Sequence, residues 1–303
     1  MKSRYQHNGI TWIDLENPTR QEVIDVAAEF NLDAFTAEEM LAPSLRPHVD
    51  IRDNYVYLIL HFPAVRHAHK HREQEIDFVV GRSFLITTHY DTVEPLQKFT
   101  KVFEVNAALE MGVEGDSAGH VFFYLTKRLY RAVEHEVEYV RRELSNIEEH
   151  IFSEHQIAMV SAISRAARNL LNLRQTIEPH RDVWKSLDAD GAAFFGDEFR
   201  PFIRALEGEY YRVHNHIMRN TDSLHELRET NNSLLTTKQN ETMKIFTIMA
   251  FVTFPLSLIA IILDMDSVHN PLHNMPYDFW IVIGIMVATA TVMFAFFKKK
   301  NWI

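Results

Sequence analysis

Residues 245–263 read IFTIMAFVTFPLSLIAIIL, and nothing in that run carries a charge. About nineteen apolar residues, rising 1.5 Å each as a helix, match the ~30 Å of hydrocarbon in a bilayer. A run of the same kind, FWIVIGIMVATATVMFAFF, returns at 279–297. Together they predict two membrane-spanning helices rather than buried helices of a soluble core.

Between the spans, 264–278 reads DMDSVHNPLHNMPYD, with acids, histidines and prolines but no Lys or Arg. It is expected to be a tight extracytoplasmic loop. Lys238 and Lys244 precede the first span, and Lys298, Lys299 and Lys300 open a basic tail at 298–303. That bias puts both termini in the cytoplasm. Trp280 and Trp302 stand at the two ends of the second span, where indoles favour the headgroup layer. The opening MKSRYQHNGITWIDLENP has no apolar leader, so the expectation is a multi-pass protein of the inner (cell) membrane whose large N-terminal part stays cytoplasmic.

That remainder, about 240 residues, is long enough to bury one or two cores. The chain carries a formal net charge of −10, which argues against nucleic acid and suits attraction of cations. It has no cysteine, which excludes disulfides and thiolate metal sites. Short β-branched and aromatic runs at 10–15, 55–62, 76–80 and 84–89 read as strands of an α/β domain over 1–115. Asn17-Pro18-Thr19 opens a helix with apolar positions 23, 26, 27 and 30 on one face, Pro18 fixing its first turn, and a second short helix covers 34–41.

Helical periodicity from His120 and again over 157–187 predicts an antiparallel helix pair in a segment 116–197. The carboxylates of 134–154 read as its solvated face. After Pro201 there is no proline before Pro255. One stalk helix of about sixty residues, roughly 90 Å long, is therefore expected over 198–263, continuing into the first span.

Steps of seven and of three or four residues along this helix join Asn240, Met243, Thr247, Ala250, Phe254, Ser257, Ile261 and Asp264 into one seam. Polar groups there need water or each other, so the seam reads as the lining of a pore; ordinary helix packing is the alternative. Two spans cannot enclose a channel, so several copies must surround it, with Gly284 and Ala288 of the second span allowing close approach. Pro255 permits a slight bend. Phe254 would form the narrowest apolar ring, and Asn240 would face the cytosolic entrance.

Several stretches carry a resemblance. WIDLENPT (12–19), RPHVDIRDNYVYLILHF (46–62), GRSFLITTHYD (81–91), NETMKIFTIMAFVTFPLSLIA (240–260) and the closing KKKNWI resemble the CorA family of divalent-cation channels, nearly end to end. The resemblance implies a homopentameric funnel. Its parts are an α/β cytoplasmic domain with a mixed sheet, an acidic helix pair, a long stalk helix entering the inner span, and an outer second span. It also implies passive flux of Mg²⁺, or of Co²⁺, Ni²⁺ or Zn²⁺ as in relatives. The partners implied are membrane lipid, identical copies and metal cations, with no cofactor beyond the transported or regulatory ion.

Two departures stand out. Where the family has Y-G-M-N at the outer mouth, this chain has Leu263-Asp264-Met265-Asp266, and only Met275-Pro276 matches the following M-P-E. Where the family has a regulatory aspartate near the start of the stalk, this chain has Ala205, with Glu207 and Glu209 nearby; Asp91 aligns with another acidic sensor position. A ring of Asp264 and Asp266 would gather cations by field strength, whereas an amide ring recognises one hydrated ion, so altered or reduced selectivity is expected. His269 and His273 could join those acids around a softer metal, against the plainer reading of two solvated loop histidines.

Two further signals have plainer readings. Gly115-Asp116-Ser117-Ala118-Gly119 matches a hydrolase nucleophile elbow but lacks the preceding strand, so Asp116 or Ser117 reads as a helix N-cap and no enzyme is expected. His67, His69 and His71 alternate in a basic turn and read as solvated. A cation channel is the leading expectation; a non-conducting scaffold of the same fold is the alternative.

Overall fold

The computed structural model describes residues 1–64, 73–108, 117–152, 156–264, 277–300 and 302. They fall into two units, Met1–Arg228 and Glu229–Ile303. The first is built on a six-stranded sheet of β1 (Lys2–His7), β2 (Ile10–Glu16), β3 (His48–Ile51), β4 (Tyr55–Pro63), β5 (Glu73–Gly81) and β6 (Phe84–His89). The order across it is β1-β2-β6-β5-β4-β3. Strands β2 and β6 run parallel, Ile13 opposite Ile86, and the other neighbours are antiparallel, so the sheet is mixed.

All four apolar runs fall within β2, β4, β5 and β6. The two strands absent from the sequence reading are the edges, which cover little apolar surface and therefore need little of it. In β1, KSRYQH alternates exposed and half-buried residues. It joins β2 through Asn8-Gly9 with both residues at positive φ, 48° and 75°, the backbone that a two-residue I′ hairpin needs.

Helix α1 (Arg20–Phe30) starts at Thr19 in a capping box: Glu22 N donates to Thr19 Oγ1 at 3.3 Å, and Thr19 N donates to Glu22 Oε2 at 2.9 Å. Pro18 precedes the cap and takes no part in the first turn. Helix α2 (Ala34–Glu39) is capped by Asp33, which accepts from Thr36 N at 2.8 Å. Val23, Val26 and Met40 from this layer pack on Ile13, Leu15, Tyr57, Ile59, Val79 and Ile86 of one sheet face.

Helices α3 (Glu94–Ala108), α4 (Ala118–His150), α5 (Gln156–Ile177) and α6 (His180–Asp190) follow. Trp12 meets Phe99 and Phe103 of α3 edge-on, and Phe78 meets Phe122 of α4. Helices α4 and α5 pack together, and both also touch the sheet. The run 157–187, read as one helix, is two: it breaks at Glu178-Pro179, because proline has no N–H to give the preceding turn.

A buried relay fixes α6 to β4. Trp184 Nε1 donates to Tyr130 Oη at 2.7 Å, and His180 Nε2 donates to the His61 carbonyl at 2.8 Å. Burial holds the His180 pKa down to about 3, so its ring is neutral and Nδ1 accepts from Tyr130 Oη at 2.7 Å.

After α7 (Ala192–Phe195) and a 3-10 turn at Asp197–Phe199, α8 runs unbroken over Arg200–Asp264, with Pro201 in its first turn, where a missing N–H costs nothing. Helix α9 spans Asp278–Lys299. By length and composition, α8 and α9 each contain a stretch apolar enough to cross a membrane.

Candidate ion pathway and regulatory residues

The apolar end of α8 carries the seam. Successive helical residues turn by about 100°, which gathers Met243, Thr247, Ala250, Phe254, Ser257 and Ile261 on one face, with Asn240 and Asp264 at its ends. Phe254 is 73% exposed, and Met243, Ala250, Ser257 and Ile261 are exposed too; Thr247 is half-buried. Ile248, Val252, Leu256, Ile259 and Leu263, on the opposite side, are half-buried. In α9 the half-buried positions Val282, Met286, Thr289 and Met293 form a stripe of their own, ending at buried Phe297. The seam thus points away from the covered side of its helix.

Thr247 Oγ1 donates to the Met243 carbonyl at 2.8 Å and Thr253 Oγ1 to Met249 at 2.9 Å, so these hydroxyls satisfy their protons inside the helix. Threonine therefore exerts less pull towards water than composition implies. Pro255 lies inside α8 and leaves the Phe251 carbonyl without its helical donor. Asp264 is exposed at the last residue of α8, where the helix dipole is already negative. That end repels its own carboxylate and attracts cations. Met265, Asp266, His269 and His273 lie outside the described residues, as do His67, His69, His71 and Asp116.

The regulatory candidates have differing surroundings within one chain. Glu209 is buried and engaged: Arg212 Nη1 donates to it at 2.8 Å, and Lys127 Nζ lies 3.9 Å away. Glu207 is half-buried and Ala205 exposed. Asp91 follows β6, half-buried, and its carbonyl accepts from His89 Nδ1 at 2.6 Å. Burial works to lower the His89 pKa, but the hydrogen bond and charge of Asp14 raise it overall. Among the described residues no three His, Asp or Glu side chains meet to hold a metal.

Ser117 is the N-cap residue of α4, with an extended backbone and no side-chain bond to the helix N–H groups; its hydroxyl pairs with His120 Nδ1 at 2.8 Å. Among the described residues the element that precedes it is helix α3, and residues 109–116 lie outside them.

One pair of acids escaped the sequence reading. IDFVV looks like an ordinary apolar strand, yet its Asp77 is fully buried and Glu75 nearly so. A carboxyl inside a continuous apolar run was the available signal, since such groups are rarely buried without a partner.

A family model described as CorA-like Mg2+ transporter protein matches residues 7–299. The chain belongs to the CorA family. Similarity to individual CorA proteins is low in identity and broad in extent. The cobalt/magnesium transport protein CorA of Thermotoga maritima is 24% identical over 295 residues, 97% of this chain and 83% of that one. The complete structure of the CorA magnesium transporter from Methanocaldococcus jannaschii superposes with a TM-score of 0.85 at 18% identity, covering 97% of this chain and 92% of that one. The ZntB cytoplasmic domain from Vibrio parahaemolyticus superposes at a TM-score of 0.62 and 14% identity, covering 77% of this chain and 90% of that domain. CorA membership places the chain among membrane-embedded transporters of divalent cations rather than among enzymes, and the mixed sheet, long helix and two apolar C-terminal helices are the CorA fold.

Proposed function

We propose that five copies of this CorA chain surround a cation pathway lined by the seam from Asn240 to Asp264, with α9 outside it. Passive flux of divalent cations, Mg²⁺ or a transition metal, enters past Asp264, Met265 and Asp266. Both termini face the cytoplasm of the inner membrane. The observation that carries this reading is the exposure of the seam opposite the covered side of α8. A face with Asn, Ser and Asp among its exposed residues is poorly suited to lipid and well suited to a wet axis shared by identical helices.

The mouth follows from the same physics. Each copy brings the negative end of α8 and a carboxylate to one opening, so the field there selects for charge more than for the shape of a hydrated ion. Selectivity broader than an amide ring gives is the consequence.

Purified full-length protein in liposomes should pass Mg²⁺, Co²⁺, Ni²⁺ or Zn²⁺ under an inside-negative potential, and Asp264→Asn combined with Asp266→Asn should change which ions pass. Absence of flux for all four, and for Na⁺ and K⁺, would instead favour the non-conducting scaffold.

A further inference from the structure

The two acids of β5 lie on one side of the sheet, since residues two apart in a strand share a face. They occupy unequal surroundings. Glu75 collects donors: Ser44 N reaches its two oxygens at 2.9 Å and 2.7 Å, and His61 Nε2 lies 3.0 Å from Oε2. Asp77 is met by hydroxyls instead, that of Tyr57 at 3.3 Å from Oδ2 and that of Tyr90, and it also touches the Glu75 carboxyl. Its Oδ1 is buried without a hydrogen-bond partner, as is Thr88 Oγ1 on the residue directly opposite in β6.

Charge does not balance here. From β4 the pair is faced by Tyr57 and His61, from β6 by Thr88, from the residue just after β6 by Tyr90, from α2 by Glu39, and from β3 by His48, which lies 3.5 Å from Glu39. Glu73, at the exposed start of β5, hydrogen-bonds Thr176 of α5. Among the described residues neither Glu75 nor Asp77 ion-pairs with a Lys or Arg, and His61 is the one base in contact with them. Two buried carboxylates with one imidazole leave a negative charge that burial makes costly.

We propose that Glu75 and Asp77 form a buried proton-binding pair, with the proton on Asp77, and that loss of this proton releases the segment from α2 to β3, making the cytoplasmic unit responsive to cytosolic pH. Geometry sets the proton on Asp77, because Glu75 takes the N–H donors while Asp77 Oδ1 is left free to carry hydrogen. Burial first, and the neighbouring Glu75 charge second, lift the Asp77 carboxyl well above its ordinary range. When the proton leaves, the new charge repels Glu75. That carboxylate is what fastens the chain at Ser44, between α2 and β3, so the restraint weakens there.

The test uses full-length protein in detergent. Infrared difference spectra across a pH titration should show a protonated-carboxyl band at neutral pH that disappears on alkalinisation and is absent from Asp77→Asn. Hydrogen exchange, corrected for its intrinsic pH dependence, should speed up at least several-fold over 34–47 as that band is lost, and Asp77→Asn should abolish the acceleration. If Asp77→Asn fails to fold, the wild-type band and wild-type exchange still decide. No protonated carboxyl at neutral pH, or exchange over 34–47 that ignores its loss, overturns the proposal. So does a band removed at constant pH by added Mg²⁺, which would make the pair a metal site.

Discussion

Glu209 shows how one neighbour decides the role of a side chain. By sequence it is a metal-ligand candidate; in the fold Arg212 and Lys127 already neutralise it. Glu209→Gln should therefore lower stability by about 1–3 kcal/mol, the scale of a charge-assisted hydrogen bond, equally with and without Mg²⁺ in thermal melts. A loss of Mg²⁺-dependent protection in that variant would restore the ligand role. Tyr130 satisfies both Trp184 and His180, so Tyr130→Phe strands two buried polar groups and should cost about 2–4 kcal/mol in denaturant titrations. His180 adds a pH dependence of definite sign. Its pKa is depressed in the folded state, so its contribution is complete above the unfolded value of about 6.5. That contribution is lost as pH falls towards about 3. His180→Gln should flatten the decline of melting temperature across that window, while Asp77, whose shift is upward, drives stability in the opposite direction as pH rises.

At the level of elements, legibility followed burial. Strands β2, β4, β5 and β6 announce themselves because a central strand must be apolar along most of its length, and β4 is buried at every residue. Edge strands β1 and β3 carry no such demand, and the Asn8-Gly9 turn was the one local clue to the first hairpin. Gly9→Ala would force a Cβ into positive φ with open space around it, so the cost is backbone strain alone, about 1–2 kcal/mol by equilibrium unfolding. No measurable loss would mean that the hairpin does not depend on that turn. Helix α6 was hidden because its periodicity continues that of α5 across Pro179, and periodicity alone does not register a missing N–H. The long helix, by contrast, was legible to within two residues at each end, since it lacks an interior breaker before Pro255 and Pro255 itself does not end it.

Across the whole molecule, the seam is an expectation that rests on heptad spacing along an apolar run, and both are local properties of the sequence. The Glu75–Asp77 pair could not be weighed, because the donors that distinguish its two acids come from β4 and from Ser44, far away in the chain. The central claim is that the face of α8 bearing Ser257 looks onto an axis shared by identical copies. The chain has no native cysteine, which makes that claim directly accessible to single-cysteine cross-linking in the membrane. Ser257→Cys, on the seam, should form disulfide-linked dimers on mild oxidation, whereas Val252→Cys, on the covered side, should stay monomeric. Cross-linking through 252 and not 257, or through neither while the protein remains folded, would contradict a shared axis lined by this seam.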